Sequence, residues 1–508
     1  MPNQAGALTR FRFLLWPAAA IAYGLSFPKF QLGILAFVFL VPLLLAIEDK
    51  KPGTAFRYFF SFSMASYLII LYWIPRVMVR YGGTTWLLGI IGLACLAAFF
   101  SIITGLVGVL IAKVRGSGPG FAAALWIPAV WVAKDLIVEK IFSGFPWCLA
   151  GYSQFKNIYF IQLAELGGIH LITFLVIAVN VLLYRLLKKK DTATMAALVS
   201  FFAVVYIGSF WLLRGHEKRI AIIPRHTAGI IQPNTDHDRP FDFVRIQSEL
   251  EKLFRISREL GENGAEFVVW PEFTVPIYPL QAPYFKERFD DFSREHAPLL
   301  AGFTDYGGSA KVFNSAILFK GGETEKYDKV HLTPFGEYVL FRRWLFFVKK
   351  ITDEIGDFTP GEKIHTLSLA GHLLATPICY KVIYPELVRA MIAQGAEVIV
   401  TISNDSWFGR SSAPSQHLAM AAFRSIENRR WLLRSTSNGI SALVDSGGRI
   451  RKRSPLHRED AFLARFQYLP ERTIFTRWGY LFPYACLILV LLKLIQMLAG
   501  IKFRSYQS

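Results

Sequence analysis

The chain has 508 residues and a formal net charge of +19, yet only 18% of its residues are charged while 53% are hydrophobic. That balance is unusual for a soluble protein and points to membrane spans. A nucleic-acid partner is excluded, because the basic residues flank apolar runs and form no basic face interleaved with aromatics.

In chain order, apolar stretches near residues 8–27, 30–47, 58–75, 85–112, 121–138, 168–187, 194–213 and 478–499 predict roughly eight membrane spans of about twenty residues. The first is no cleaved signal peptide, since its apolar run continues past Pro28 without a small-residue cleavage site. Gly116 to Gly120, GSGPG, reads as a short turn between the fourth and fifth spans. It is not a phosphate loop, because no strand precedes it and no Lys-Ser/Thr follows. Ionisable residues within the spans are few, Lys134 and Asp135 being the notable pair, which disfavours a transporter. Basic clusters at Arg10 and Arg12, Lys50 to Arg57, Lys113 and Arg115, Arg185 to Lys190, and Lys502 and Arg504 predict that both termini are cytoplasmic. The predicted organisation is a membrane domain of about seven helices over 1–213, an extracytoplasmic catalytic domain over 214–476, and a last transmembrane helix with a short cytoplasmic tail over 477–508.

Within the outer domain, strand-like runs occur at 219–223, 227–232, 266–270, 298–302, 314–319, 372–378, 397–403 and 441–445. They alternate with amphipathic stretches such as FDFVRIQSELEKLFRISREL and HLAMAAFRSIENRRWLLR, which predicts an α/β domain with sheets covered by helices. The cysteines, Cys95, Cys148, Cys379 and Cys486, suggest no disulfide framework, and only Cys379 lies in that domain. Taken alone, such a cysteine is most often a buried structural thiol.

The neighbours of Cys379 change that reading. It ends the run LLATPICY just before a helix starting at Pro385, where a thiol is expected to be exposed with a lowered pKa, as a nucleophile requires. Glu272 follows a strand in AEFVVWPEF, where partial burial against aromatics is expected to raise a carboxylate pKa towards that of a general base. Lys329 lies in the polar turn of YDKVHLTPFGEY, where a fixed positive charge could stabilise an oxyanion by about 3–4 kcal/mol. Singly, Glu272 reads as a cap or surface acid and Lys329 as a solvated turn lysine.

Together they resemble the Glu-Lys-Cys triad of the nitrilase superfamily, and the domain over roughly 220–465 resembles a nitrilase-like α-β-β-α sandwich. The ordered motifs FPWCLAGYSQ (145–154), VVWPEF (268–273), YDKVHLTPFGEYV (327–339), PICY (377–380), SNDSWFG (403–409) and QHLAMAAFRSIENRRWLLRSTSNGIS (416–441) make the whole chain resemble the apolipoprotein N-acyltransferase family. The resemblance implies ping-pong acyl transfer with Cys379 as nucleophile, Glu272 as proton acceptor and Lys329 as oxyanion stabiliser. It further implies that Glu337 orients the lysine and that Tyr380 and Asn404 shape the pocket, while Trp147 and Trp407 are candidate lipid-facing side chains. The implied donor is a phospholipid, the sn-1 acyl chain of phosphatidylethanolamine, and the implied acceptor is a diacylated apolipoprotein. No metal and no organic cofactor is implied. The enzyme is expected to be a monomer in a bacterial inner membrane, with its catalytic domain on the periplasmic side. One position departs from the pattern: Lys381 stands where the family usually has a glutamate, and it is expected either solvated or paired with Glu386 or Glu337. A membrane-tethered nitrilase-type amidase, and a weakly active or inactive paralogue on account of Lys381, remain the alternatives.

Overall fold

A computed structural model describes residues 12–114, 120–236, 239–308, 311–333, 337 and 358–505. The turn expected at Gly116 to Gly120 lies, apart from Gly120, outside the described residues. The chain divides into a helical unit, Met1–Tyr72 with Ile90–Leu213 and Trp478–Ser508, and a second unit, Trp73–Gly89 with Arg214–Arg477.

The helices before the first strand are α1 (Leu15–Ser26), α2 (Leu40–Ala46), α3 (Pro52–Ile70), α4 (Ile74–Gly82), which belongs to the second unit, α5 (Trp86–Val114), α6 (Ala123–Lys140), α7 (Ala164–Lys189) and α8 (Thr192–Ile220). A C-terminal helix spans Leu481–Ser505. Among the described residues, four helical stretches are long and apolar enough to cross a membrane: Trp86–Val114, Ile161–Lys189, Thr192–Ile220 and Leu481–Ala499. The count rises to five if α3 and α4 form one broken span. This is fewer than expected, for identifiable reasons. The described part of the first stretch forms only the 12-residue α1, and the second breaks into a 3-10 turn, Gly33–Phe37, and the seven-residue α2. The fifth, α6, carries Lys134, Asp135, Glu139 and Lys140 within its 18 residues.

The helical unit turns apolar side chains outward and polar ones inward. Val199, Val204, Ile207 and Trp211 on α8, and Leu492, Ile495 and Leu498 on the C-terminal helix, are exposed. An exposed apolar face of that extent suits lipid. Inside, the Asn180 amide donates to the Ala36 carbonyl at 2.8 Å, and its oxygen accepts from the Leu40 N–H at 2.8 Å. Glu139 lies 3.3 Å from His170 and accepts from the Tyr480 hydroxyl. Helices α3 and α5 meet at small residues: a Cβ on Gly105 would lie 2.6 Å from the Phe56 ring.

Among the described residues the second unit has twelve strands: β1 (His226–Gln232), β2 (Phe267–Val269), β3 (Leu299–Gly307), β4 (Lys311–Lys320), β5 (Glu323–Asp328), β6 (Leu367–Leu369), β7 (His372–Ala375), β8 (Val398–Ser403), β9 (Leu432–Thr436), β10 (Ala442–Val444), β11 (Ile450–Arg453) and β12 (Asp460–Phe466). They form two six-stranded sheets, β12-β1-β2-β3-β4-β5 and β11-β10-β9-β8-β7-β6. Each has a parallel centre, β1-β2-β3 or β7-β8-β9, with antiparallel strands outside it. Helices α9 (Phe243–Glu262) and α10 (Pro283–Glu295) pack on the first sheet, where Leu250, Leu253, Phe254 and Phe289 meet Val268, Trp270 and Phe319. Helices α11 (Pro385–Ala393) and α12 (Ala413–Asn428) belong to the second. The Ser435 hydroxyl donates to the Ile231 carbonyl at 2.7 Å and the Thr436 hydroxyl to Gln232 Oε1 at 2.9 Å, so the sheets also meet through polar contacts.

The strand expected at 219–223 does not form, because α8 continues through Ile220. Strands β5, β6, β9, β11 and β12 were not anticipated. The helix expected to run through Arg434 stops at Asn428, where Arg429 adopts φ +52° and turns the chain into β9.

Candidate active site

The ends of β2, β5, β7 and β8 converge. Glu272 lies three residues beyond β2, Lys329 immediately after β5, Cys379 four residues beyond β7, and Ser403 and Asn404 at the end of β8. Parallel strands ending together leave a crevice at their carboxyl ends, the usual position of a site in α/β sheets. Gly302 on β3 is required there, because a Cβ at that position would lie 2.6 Å from Glu272 Cα and 2.9 Å from the Pro271 carbonyl.

Glu272 is 2% exposed and both its oxygens are held. Oε1 accepts from Asn314 Nδ2 at 2.7 Å and from Lys329 Nζ at 3.3 Å, and Oε2 accepts from the Asn404 backbone N–H at 2.8 Å. Lys329, also 2% exposed, donates to Glu337 Oε1 at 2.8 Å. Asn314 donates to the same Glu337 oxygen at 2.7 Å, and the Thr333 N–H holds the other at 2.7 Å. Burial disfavours the Lys329 ammonium, but Glu337 and then Glu272 outweigh that cost and push its pKa upward. Burial likewise works against an ionised Glu337, and Lys329 with its hydrogen bonds reverses it, so the Glu337 carboxyl falls below its usual range. Lys329 is therefore a fixed cation held between two carboxylates.

Cys379 adopts φ +53°, a conformation that L residues rarely occupy and that persists only where surrounding groups enforce it. Its thiol lies 3.3 Å from Ser403 Oγ. The expectation of an exposed, acidified thiol is corrected: Cys379 is 9% exposed, and burial followed by the Glu272 charge pushes its pKa up despite Lys329. A free thiolate is thus disfavoured at rest, and activation needs a base. Beneath the thiol sits a buried polar network that the sequence reading missed. Asp405 accepts from Ser403 Oγ at 2.7 Å and from Arg434 Nη2 at 2.9 Å, and Arg434 Nη2 lies 3.1 Å from His417 Nδ1. Burial, reinforced by Arg434, pushes the His417 pKa down despite the Asp405 carboxylate 3.3 Å from its Nδ1.

Of the expected supporting residues, Glu337 and Asn404 reach the cluster, Asn404 through its backbone N–H while its side chain accepts from Ser406 N at 3.2 Å. Tyr380 packs edge-on against Tyr384 at 5.7 Å. Lys381 is neither solvated nor paired with Glu386, which is taken by Arg389. It is 2% exposed, donates to the Leu332 carbonyl at 3.1 Å, and lies 4.9 Å over the Tyr384 ring and 5.2 Å over that of Tyr380. Burial, reinforced by Lys329, pushes its pKa down to about 7. Trp407 packs against Tyr81 with ring centroids 4.3 Å apart and planes tilted by 43°. Trp147 is corrected from lipid-facing to buried: it is 1% exposed and lies parallel to Phe145. Among the described residues no group of His, Cys, Asp or Glu is arranged to hold a metal.

A family model described as Apolipoprotein N-acyltransferase N-terminal domain matches residues 19–182, and one described as Carbon-nitrogen hydrolase matches residues 227–467. The chain is 32% identical over 492 residues to the Apolipoprotein N-acyltransferase of Geobacter metallireducens, with 94% of each chain covered. It is 31% identical over 474 residues to that of Pseudomonas putida, with 92% of each covered. Among solved structures, a nitrilase-superfamily amidase of Nesterenkonia AN1 is 22% identical and covers 49% of this chain and 94% of its own, with a TM-score of 0.38.

Proposed function

We propose that this chain, which belongs to the apolipoprotein N-acyltransferase family, acylates the amino terminus of lipoproteins through a thioester formed on Cys379. The observation that carries the mechanism is the buried Glu272–Lys329–Glu337 cluster with its permanently charged lysine beside a buried thiol. Glu272 takes the Cys379 proton as the sulfur attacks an ester carbonyl of a phospholipid. Lys329, a cation before and after the step, stabilises the developing oxyanion, an effect worth about 2.7–4 kcal/mol for one such donor. Glu337 and Asn314 hold the lysine and the base in register. The lysophospholipid leaves with a proton, and the thioester remains. The free amine of a diacylglyceryl-cysteine then attacks that thioester, loses its proton to Glu272, and departs N-acylated.

Family membership supports lipid and lipoprotein substrates and association with a membrane. The finer proposals are the sn-1 chain of phosphatidylethanolamine as donor, a bacterial inner membrane as location, and a catalytic unit on the periplasmic side within residues 214–476. The alternation of Lys and Arg clusters along the chain supports that orientation. The test incubates the purified protein with phosphatidylethanolamine and a diacylated lipopeptide. A gain of one acyl mass on the lipopeptide amine supports the function; hydrolysis of small amides without acyl gain refutes it.

A further inference from the structure

The Ser403 hydroxyl carries one hydrogen but touches two acceptors. Its oxygen lies 2.7 Å from Asp405 Oδ1 and 3.3 Å from Cys379 Sγ, and both Ser403 and Asp405 are shut off from solvent. Asp405 is ionised: burial works against its charge, but Arg434 and His417 overcome this and hold its carboxyl far below the usual range. A carboxylate at 2.7 Å is a much stronger acceptor than a neutral thiol at 3.3 Å, so in the resting enzyme the hydrogen points to Asp405. The lone pairs of the Ser403 oxygen then face the sulfur, and the S–H bond supplies the hydrogen of that contact.

Removing the Cys379 proton reverses these preferences. A thiolate against an oxygen lone pair is repelled, whereas the same thiolate against an O–H is stabilised. Asp405 can release the hydroxyl at small cost, because Arg434 still donates to both its oxygens, at 3.1 and 2.9 Å. We propose that Ser403 is a positioning residue that acts as a two-state hydroxyl rotor, accepting from the Cys379 thiol at rest and turning its hydrogen from Asp405 to the sulfur when Glu272 takes the thiol proton. The S–H bond breaks, the proton goes to a Glu272 oxygen, the electron pair stays on sulfur, and the Ser403 O–H bond only rotates. The sulfur is also faced by Lys329 and Lys381, whose charges favour the thiolate, and by Glu272 and Asp405, whose charges oppose it. This proposal rests on the reading of Cys379 as nucleophile.

The test follows alkylation of Cys379 by iodoacetamide in the full-length protein, by peptide mass across a pH series, in wild type and Ser403→Ala. The rotor predicts that the Ser403→Ala pH–rate profile moves upward by about one unit, so that alkylation at a fixed pH below the plateau is about tenfold slower. Loss of structure would do the opposite, since an opened site labels faster. A wild-type profile in Ser403→Ala overturns the proposal. If Ser403→Ala labels faster because it has opened, the infrared S–H band of wild type, isolated by subtracting Cys379→Ala, decides the matter. A band lowered and broadened by donation supports the rotor, and a free-thiol band overturns it. Wild-type protein that never labels at Cys379 while Cys95 does refutes the nucleophile itself rather than the rotor.

Discussion

Among the described residues Lys381 donates to the Leu332 carbonyl and lies over the faces of Tyr384 and Tyr380, surroundings that suit a cation. Charge reversal there sets a carboxylate against a carbonyl oxygen and the negative faces of two rings. Lys381→Glu should therefore lower acyl transfer more than tenfold rather than restore a family residue, while Lys381→Met should retain most of it. Because the folded pKa, about 7, lies below the ordinary 10.5, the unfolded chain holds the extra proton between those values. Stability then rises with pH through that window and is flat below it. Lys381→Met should remove this slope and stabilise the neutral-pH protein by about 1–4 kcal/mol, as for other buried charges replaced by apolar groups, read from thermal unfolding at pH 7 and 10. Lys329 should behave oppositely. Lys329→Met leaves Glu272 and Glu337 buried without their cation, at a cost of about 3–5 kcal/mol, and should reduce acyl transfer at least a hundredfold; a variant as stable and active as wild type counts against the oxyanion role. At this scale the sequence was legible where a motif named the residue, as in WPEF for Glu272 and PICY for Cys379. Asn314, Ser403, Asp405, His417 and Arg434 were not legible, because their roles arise from β4, β8, α12 and β9 meeting in space. The signal that could have found them is a charge inside an apolar strand: Arg434 sits in WLLRST and is fully buried.

At the scale of elements, the site depends on how closely β2 and β3 approach. Gly302 on β3 leaves room for the Glu272 backbone, and a Cβ there would also meet Ile402 Cδ1 at 2.8 Å. Gly302→Ala should therefore destabilise by about 1–3 kcal/mol, the usual cost of overpacking, and cut activity by displacing the base. A Gly302→Ala enzyme with wild-type kcat would contradict this placement. Strands with buried β-branched runs, such as FVV at β2 and VIVTIS at β8, announced themselves. The polar edge strand β5, ETEKYD, did not, since alternate charges reach solvent and Lys320 or Lys326. Strand β9 was hidden because the helical periodicity of α12 continues across Arg429, a residue with no intrinsic preference for the left-handed turn it makes. Among the described residues the helices long and apolar enough to cross a membrane are fewer than the apolar stretches of the sequence, because α1 and α2 are short and α6 holds four ionisable side chains that composition averages away.

For the whole molecule, the pattern of Lys and Arg clusters predicts that a reporter fused near residue 300 is active only in its extracytoplasmic form; activity of a cytoplasmic reporter alone would overturn the orientation. The outward apolar faces of α8 and the C-terminal helix fit association with a membrane, and the burial of Glu272, Lys329 and Cys379 fits the proposed reaction, which must keep water from its thioester. The central claim is that one acyl chain rests on one sulfur between two half-reactions. Its most direct measurement is the intact and peptide mass of the full-length enzyme after incubation with phosphatidylethanolamine alone, then after addition of a diacylated lipopeptide. The account predicts a hydroxylamine-labile acyl mass on the peptide containing Cys379, discharged in step with N-acylation of the lipopeptide. An acyl group on any other residue, or undiminished N-acylation by Cys379→Ala, would contradict it.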